Sequence, residues 1–378
     1  MLYRTFGKTD KKVSILGFGC MRLPVIDGVD ANIDEAEAIK MIRHAIDHGV
    51  TYIDTAYPYH GGNSETVVGK ALKDGYREKV MIATKLPSWK VEASEDMDRL
   101  LDEQLARLQT DHIDFYLLHA LESWYWGNYK KLNVADFVKR AKASGKIKNI
   151  GFSFHDELPV FKTIVDEFDW DFCMVQYNYM DEDFQAGKEG LLYAHSKGLG
   201  VAVMEPLKGG TLSNNLPDDI QNIWNRLDEK RSPAAWGLRH VWDQKQVSVV
   251  MSGMSDMEQV NDNINTAKDA TPGCLNEAQK SAINDVRDIY RDRIAVDCTA
   301  CQYCMPCPHG VNIPLCFEYL NNHAMYQNEQ AMRQYSIFVE PENKADKCQE
   351  CGICEQACPQ HIAIIDKLKE TATKLAEK

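Results

Sequence analysis

The sequence lacks any run of about 18 apolar residues, the length that a membrane-spanning helix needs. It also lacks an excess of positive charge. The 43 lysine and arginine residues are outnumbered by 56 aspartate and glutamate residues, which gives a formal net charge of −13. Nucleic-acid binding needs a basic face, so that class of function is disfavoured. Residues 1–13 contain no apolar core of a signal peptide. We therefore expect a cytoplasmic protein with neither a membrane span nor a nucleic-acid partner.

Cysteine is nearly absent from the first 297 residues, which contain only Cys20, Cys173 and Cys274. The other nine of the 12 cysteines lie between Cys298 and Cys358. A secreted disulfide scaffold would not leave most of its length without cysteine, whereas clustered cysteines in a reducing compartment are typical of metal or redox centres. This distribution predicts a large α/β body followed by a small metal-binding tail.

Short apolar segments rich in β-branched residues alternate with segments of helical period along the body. The predicted strands are Ser14–Gly19, Thr51–Asp54, Val80–Lys85, Ile113–His119, Ile147–Ser153, Phe172–Gln176, Gly200–Met204 and Val247–Met251. Such alternation predicts a parallel sheet covered by helices, and eight units fit a (β/α)8 TIM barrel. An open doubly wound sheet is the alternative, but Gly17 and Gly19 are followed by Arg22 where its nucleotide-binding motif needs a third glycine. Leu2–Phe6 and Lys12–Ile15 predict a hairpin that closes the bottom of the barrel.

Polar residues end several of the predicted strands. These residues are Asp54, Lys85, His119, Ser153 and Gln176. In a (β/α)8 barrel the C-terminal strand ends meet at the top face, where enzymes of this fold place their chemistry. Tyr59 lies five residues beyond Asp54 and would share this face.

These residue types suit proton donation to a carbonyl oxygen. A phenol with an ordinary pKa of about 10 holds its proton at neutral pH, and a nearby ammonium such as Lys85 lowers that pKa. Asp54 would orient Lys85, and His119 would hydrogen-bond the same carbonyl. No nucleophile is needed, which favours hydride transfer, because there the cofactor supplies the reactive atom.

The segments Asp54–Tyr59, Ser64–Glu65, Ala83–Lys85 and Asp114–His119 resemble the motifs of the aldo-keto reductases. This resemblance covers about residues 1–270 and implies a TIM barrel with a nicotinamide cofactor, NAD(H) or NADP(H), across its top. It implies that Tyr59 is the general acid, supported by Asp54, Lys85 and His119, and that Gln176 binds the nicotinamide carboxamide. The cofactor-binding residues it implies are Gly19, Met21, Asp54, Ser153, Gln176, Leu207, Gly253, Gln259 and Asn263.

Four positions depart from the family pattern. Phe154 stands where an asparagine normally follows Ser153, and Met204 replaces an aromatic residue that often stacks on the nicotinamide. Gly253 and Gln259 stand where NADPH-using members carry a lysine and an arginine for the 2′-phosphate. A phosphate without these cations loses charge-assisted hydrogen bonds. We therefore expect NADH to bind at least as well as NADPH, or the nicotinamide role to be weaker.

An aromatic segment follows the fourth predicted strand and contains Trp124, Tyr125, Trp126 and Tyr129. It predicts either the wall of a pocket for an aromatic substrate or an ordinary buried cluster. The expected substrate is a small carbonyl or alcohol compound, aromatic if the segment forms such a wall.

Two runs of four cysteines define the tail. They are Cys298-x2-Cys301-x2-Cys304-x2-Cys307-Pro308 and Cys348-x2-Cys351-x2-Cys354-x3-Cys358-Pro359. The second has the spacing of bacterial ferredoxins, in which the fourth cysteine of each run ligates the other cluster. Carried over, one [4Fe–4S] cluster takes Cys298, Cys301, Cys304 and Cys358, and the other takes Cys348, Cys351, Cys354 and Cys307.

Structural zinc also uses pairs of cysteines separated by two residues. Zinc needs four ligands at one tetrahedral point, so three successive steps, repeated twice, favour cubane clusters over zinc. The first run has two residues before its last cysteine instead of three. Cys316 is either a substitute fourth ligand or a small buried hydrophobe, and the second reading is favoured.

These resemblances lead us to expect an aldo-keto reductase-like (β/α)8 barrel over residues 1–272 and a small helical ferredoxin-like iron–sulfur domain over residues 273–378. It resembles a bacterial and archaeal group of aldo-keto reductases with a two-cluster tail. One hypothesis is that the barrel interconverts a carbonyl and an alcohol while the clusters connect it to an outside ferredoxin or flavoprotein. A second makes the clusters structural or docking elements of an electron-transfer subunit with a nearly silent barrel. A bound flavin would also join hydride and one-electron steps, although the sequence has no motif for it.

Overall fold

The computed structural model describes residues 1–298, 303–327, 329–358 and 360–376. The chain forms two compact units. The first comprises Met1–Gly209 and Ala234–Asn276, and the second comprises Gly210–Pro233 and Glu277–Lys378. The segment Gly210–Pro233, which lies within the barrel range expected from the sequence, therefore belongs with the C-terminal unit.

A two-stranded antiparallel hairpin of β1 (Tyr3–Thr5) and β2 (Lys12–Ser14) opens the chain. Beyond β1, the Phe6 ring lies 5.9 Å from the Tyr52 ring and 5.3 Å from the Phe172 ring, between centroids. Tyr52 and Phe172 are the first residues of two barrel strands. The hairpin therefore closes the N-terminal end of the barrel, as predicted.

Eight parallel strands form a closed barrel, in which each strand pairs with its neighbour in the chain and the last pairs with the first. The strands are β3 (Leu16–Gly19), β4 (Tyr52–Asp54), β5 (Met81–Leu86), β6 (Ile113–Leu121), β7 (Ile147–Phe154), β8 (Phe172–Gln176), β9 (Gly200–Met204) and β10 (Val249–Gly253). The (β/α)8 prediction is confirmed, and the open sheet is wrong.

Amphipathic helices follow the strands and continue into the second unit. They are α1 (Glu35–Asp47), α2 (Ser64–Ala71), α3 (Ser94–Leu108), α4 (Ser123–Lys131), α5 (Val134–Ala143), α6 (Leu158–Glu167), α7 (Gly187–Ser196), α8 (Asp218–Arg226), α9 (Pro233–Trp242), α10 (Met257–Thr266), α11 (Glu277–Asp292), α12 (Ile313–Tyr326), α13 (Gln330–Phe338), α14 (Ile353–Ala357) and α15 (Ile364–Lys374). Among the described residues, no helix combines the length and apolar character that crossing a bilayer requires.

Strand residues alternate between the barrel interior and the surrounding helices. The interior is filled by large apolar side chains from alternate positions, among them Phe115, Leu117, Phe172, Met174 and Val249. The opposite strand faces pack on the helices in a separate apolar cluster. Because the interior is closed by packing, the polar strand ends lie on a rigid platform at the top face.

The second unit is helical in its described residues and has an apolar core of its own. That core includes Val311, Ile313, Phe317, Leu320, Ile364 and Leu368. Asn312 caps α12 by accepting a hydrogen bond from the Leu315 amide at 3.3 Å, and a proline follows within the first helical turn. The helical character predicted for the tail is confirmed.

Candidate functional site

The Lys85 ammonium is the centre of a buried polar group at the top of the barrel. Its Nζ donates to Asp54 Oδ1 at 2.7 Å, to the Thr55 carbonyl at 2.8 Å and to the Tyr59 hydroxyl at 3.2 Å. The Lys85 side chain is 2% exposed and that of Asp54 is 6% exposed. The C-terminal ends of β4 and β5 thus bring Lys85 into contact with Asp54 and Tyr59.

His119 lies beside Tyr59 at the same top face, and within the described residues one of its ring nitrogens has no hydrogen-bond partner. Its ring stands edge-on to Tyr59 at 6.2 Å between centroids and lies 5.1 Å from the Trp89 ring. Within the described part of the chain, His119 Nδ1 and Asp54 Oδ2 are buried and have no hydrogen-bond partner. Unpartnered buried polar atoms are costly, so the site is suited to a polar ligand.

Burial sets the protonation states of this group. It raises the pKa of Tyr59 above the ordinary value, and the Lys85 ammonium only partly opposes it. The lowering effect expected of Lys85 from the sequence is present, but desolvation outweighs it. Burial, followed by Lys85, lowers the pKa of His119 well below its usual range, so the imidazole is neutral.

Attraction keeps Lys85 protonated despite its burial. Desolvation lowers the pKa of Lys85, but the Asp54 carboxylate and the Tyr59 hydroxyl together raise it further than burial lowers it. Burial also raises the pKa of Asp54, against the opposing effect of the ammonium. Asp54 therefore keeps the Lys85 ammonium charged next to the phenol.

A second buried polar network joins β5 to the helices α2 and α3. Glu65 Oε1 accepts hydrogen bonds from Thr84 Oγ1 at 2.6 Å and from Gln104 Nε2 at 2.7 Å. Gln104 Nε2 also donates to the Lys85 carbonyl at 3.0 Å. Gln104 is missing from our sequence-based site, although a lone amide on the apolar face of α3 is a signal that could have found it.

Two of the residues expected to bind the cofactor, Ser153 and Gln176, make hydrogen bonds within the barrel. Ser153 Oγ accepts from the Ala120 amide at 2.8 Å, so its O–H remains able to donate. Gln176 Nε2 donates to Asp181 Oδ2 at 2.8 Å. Asp181 did not come out of the sequence analysis, because it lies in a loop without a motif.

Phe154 stands where the family pattern has an asparagine, and its side chain packs in the apolar cluster between the strands and the helices. β7 continues to Phe154, which pairs with Leu121 of β6, and the Phe154 ring lies 5.0 Å from the Phe161 ring on α6. Since neighbouring strand residues face opposite sides, Ser153 faces the interior while Phe154 is fully buried under the helices.

Gly19 and Gly253 are paired in register on neighbouring strands, and Gly19 is also paired with Asp54. Arg22 lies directly over Gly253, because a Cβ built on that glycine would come within 3.1 Å of the Arg22 Cδ. The Arg22 side chain thus brings a basic residue close to Gly253, a position where the sequence analysis found no cation. Met21, next to it, is 51% exposed.

The other expected cofactor residues have local partners. Gln259 lies in the first turn of α10. Its backbone N–H donates to Asp256 Oδ1 at 2.8 Å, and its Oε1 accepts from the Ser255 backbone amide at 3.0 Å. Asn263 Nδ2 donates to Ser252 Oγ at 2.9 Å. Leu207 packs against Gly237, where a Cβ would come within 2.6 Å of its Cδ2.

The aromatic segment after β6 is partly buried and partly exposed. Trp126 and Tyr129 are buried, and they donate to Glu167 at 2.7 Å and to Ser88 Oγ at 3.1 Å, respectively. Trp124 is 68% exposed, with its ring 5.0 Å from that of Tyr125. The first two therefore pack the barrel, and Trp124 is accessible.

Seven of the eight predicted cluster cysteines are described, and Cys301, like Pro359, lies outside the described residues. None of these seven forms a disulfide bond in the described part of the chain. Six of them border or join one apolar cluster: Cys298, Cys304, Cys307, Cys348, Cys354 and Cys358. Cys351 is exposed. Both runs thus contribute to one small core, which suits ligands exchanged between two cubanes.

Cys316 is a packing residue in the second unit. It is fully buried, and its Sγ lies 3.9 Å from the Tyr335 hydroxyl and 3.7 Å from the Asn343 carbonyl. Burial raises the pKa of its thiol to about 12. Across the described residues, no three histidine, cysteine, aspartate or glutamate side chains form a group suited to a single metal ion.

Comparison with known proteins agrees with both halves. The sequence model of the aldo/keto reductase family matches residues 15–272, and that of a 4Fe-4S dicluster domain matches residues 297–363. L-galactose dehydrogenase of Arabidopsis thaliana is 28% identical over 286 residues, which cover 69% of this chain and 86% of that protein.

Solved structures resemble the barrel. An aldo-keto reductase from Bacillus halodurans in its holo form aligns with a TM-score of 0.63 and 28% identity, over 75% of this chain and 96% of that one. An aldo-keto reductase from Klebsiella pneumoniae in complex with NADPH aligns with a TM-score of 0.61 and 25% identity, over 76% and 96%. The chain belongs to the aldo/keto reductase family and carries a C-terminal 4Fe-4S dicluster domain.

Proposed function

We propose that the barrel catalyses the nicotinamide-dependent interconversion of a carbonyl and an alcohol, with Tyr59 as the general acid. The observation that carries this proposal is the hydrogen bond of 3.2 Å from Lys85 Nζ to the Tyr59 hydroxyl, within a buried group that also contains Asp54. The phenol oxygen accepts from an ammonium and therefore directs its own O–H elsewhere, towards the mouth that it shares with His119.

The chain's own residues move and hold the proton. In carbonyl reduction, Tyr59 donates its proton to the carbonyl oxygen, and Lys85 stabilises the phenolate that remains. The neutral His119 imidazole can hydrogen-bond the same oxygen and orient it. In alcohol oxidation the phenolate takes the proton back. The nicotinamide supplies or accepts the hydride when bound.

The donor set at the barrel top fits a nicotinamide carboxamide. Ser153 Oγ accepts from Ala120, which leaves its O–H to donate, and Gln176 Nε2 donates to Asp181, which leaves its Oε1 to accept, as far as the described residues show. Gly19, Met21, Leu207, Gly253, Gln259 and Asn263 would hold the rest of an NAD(H) or NADP(H) molecule. Arg22, beside Gly253, favours the phosphates of either cofactor.

Substitution of the tyrosine tests this proposal. Tyr59→Phe should lower kcat/KM for carbonyl reduction about 10²- to 10⁴-fold, because it removes the donated proton. Tyr57→Phe is the matched control, since the Tyr57 hydroxyl donates to Glu103 Oε1 at 3.0 Å. If Tyr59→Phe keeps the full activity, the reductase assignment fails and an electron-transfer subunit with a silent barrel is favoured.

We also propose that the tail holds two [4Fe–4S] clusters, with the ligand exchange between runs given above, and that they pass single electrons to a ferredoxin or flavoprotein. The support is the set of cysteines without disulfides around one small core, among the described residues, and the match to a dicluster domain. Anaerobic purification should give about eight iron and eight sulfide per chain. Bleaching of the cluster absorbance by NADH or substrate would link the two halves, and an unchanged spectrum with both would separate them.

A further inference from the structure

Asp181 is the acceptor of an unusually full set of hydrogen bonds beside Gln176. Its Oδ2 accepts from Gln176 Nε2 at 2.8 Å and from Asn178 Nδ2 at 2.9 Å, and Lys208 Nζ lies 2.9 Å from both carboxylate oxygens. The Asp181 side chain is 11% exposed and that of Lys208 is 26% exposed. The carboxylate is therefore fixed and largely shielded from water.

The position of Asp181 is set by a turn that buried Asn178 holds. Asn178 Oδ1 accepts from the Met180 amide at 2.9 Å and from the Asp181 amide at 3.0 Å. Its Nδ2 also donates to the Glu205 carbonyl at 3.0 Å. Both ends of the Asn178 amide are thus engaged, so the turn after β8 is rigid.

This arrangement fixes which way round the Gln176 amide lies. An ion-paired carboxylate can only accept, so the Gln176 atom that faces Asp181 must be the NH2 group. The Gln176 Oε1 then points away from Asp181. Position 154, an asparagine in the family pattern, is a phenylalanine buried under the helices, so it provides no side-chain amide on this side of the barrel.

We infer that Asp181 is a positioning residue that presents Gln176 Oε1 as the acceptor for the N–H donors of the nicotinamide carboxamide. This inference rests on the proposed function, in which Gln176 contacts that carboxamide. Lys208 and Asn178 fix the Asp181 carboxylate by hydrogen bonds. The carboxylate orients Gln176, and Gln176 Oε1 then accepts from the carboxamide. Supporting hydrogen bonds of this kind decide whether a recognition group is held in its productive geometry.

Equilibrium binding to the full-length protein tests the inference without any turnover. The reduced 3-acetylpyridine analogue of NADH has a methyl group in place of the carboxamide NH2, so it has no N–H to donate to Gln176. The test variant is Asp181→Leu with Lys208→Met, which removes both members of the ion pair and leaves no unpaired buried charge. Lys208→Met alone is the control, because it leaves the Asp181 carboxylate to accept from Gln176.

The double variant should bind NADH about five- to tenfold more weakly than the wild type, the effect of about one hydrogen bond. Its affinity for the analogue should stay within about twofold. Lys208→Met should keep the wild-type preference for NADH over the analogue. An equal loss for both cofactors, or no loss for either, overturns the inference while the proposed function stands.

Two further results separate the inference from the function. If the wild-type protein binds neither NADH nor the analogue, the proposed nicotinamide role fails and the inference fails with it. If the double variant does not fold, as judged by circular dichroism, Asp181→Ala with Lys208→Met removes the same acceptor with less apolar bulk. The same loss of preference for NADH is expected there, and an unchanged preference overturns the inference.

Discussion

Removal of the Lys85 ammonium should expose how far the catalytic group depends on its buried ion pair. Lys85→Met keeps most of the side-chain length but leaves Asp54 with no cation at 2.7 Å. Asp54 is 6% exposed, and within the described residues its Oδ2 has no hydrogen-bond partner to compensate. Breaking a buried pair from one side costs about 3–5 kcal/mol, so we expect a loss of unfolding free energy of this size at neutral pH.

The pH dependence and a double variant give the reasoning two internal checks. Without the ammonium, burial alone raises the pKa of Asp54, so the folded state binds a proton more tightly than the unfolded state. The stability loss of Lys85→Met should then be largest above the folded-state pKa and shrink as the pH falls. Asp54→Asn with Lys85→Met removes both charges and should recover most of the lost free energy.

Urea unfolding followed by tryptophan fluorescence measures this effect. All tryptophans except Trp224 lie in the barrel unit, so the signal reports mainly on that unit. A loss below about 1 kcal/mol for Lys85→Met would refute the reasoning. So would a double variant no more stable than the single one, because the penalty would then not come from an uncompensated charge.

Three further outcomes are expected. Because the pKa of His119 lies well below its usual range, kcat/KM should show no inflection near pH 6.5. His119→Asn should lower kcat/KM about a hundredfold. An inflection near pH 6.5 that this variant abolishes would contradict a neutral imidazole. In fluorescence titrations NADPH should not bind a hundredfold more tightly than NADH, whereas Gln259→Arg should raise the NADPH affinity about tenfold and leave that for NADH unchanged. Cys354→Ser should lower the iron content to about four per chain and Cys316→Ser should not, so equal iron in both variants would rule out Cys354 as a ligand.

The fold was predictable because its signals are local and repeated. Every barrel strand except β3 contains at least one β-branched residue, as in Gly200–Met204 and Tyr52–Asp54. The contact of Lys85 with Tyr59 was also predictable, since Lys85 lies at the end of β5, Tyr59 follows the neighbouring β4, and parallel strands end on the same face. For these residues, position along the strand determines position in space.

Other features depend on three-dimensional packing and leave little trace in the sequence. Arg22 and Gly253 are far apart in the chain, and their contact follows only from closure of β10 against β3. The raised pKa of Tyr59 needs the amount of burial, which no motif specifies. Asp181 sits in a loop whose geometry comes from the side-chain bonds of Asn178.

Phe154 shows how a departure from a family pattern is resolved by strand geometry, and it gives a last prediction. β7 runs one residue past Ser153 and pairs Phe154 with Leu121, so the phenyl ring packs between the rings of Phe152 and Phe161 at 6.4 and 5.0 Å. Phe154→Asn therefore should not restore a carboxamide contact. It should leave a cavity and a buried amide, and lower the unfolding free energy by about 3–5 kcal/mol, with no gain in NADH affinity. A variant of wild-type stability that binds NADH tenfold more tightly would show that position 154 faces the mouth, and Gln176 would then not be the main acceptor for the carboxamide.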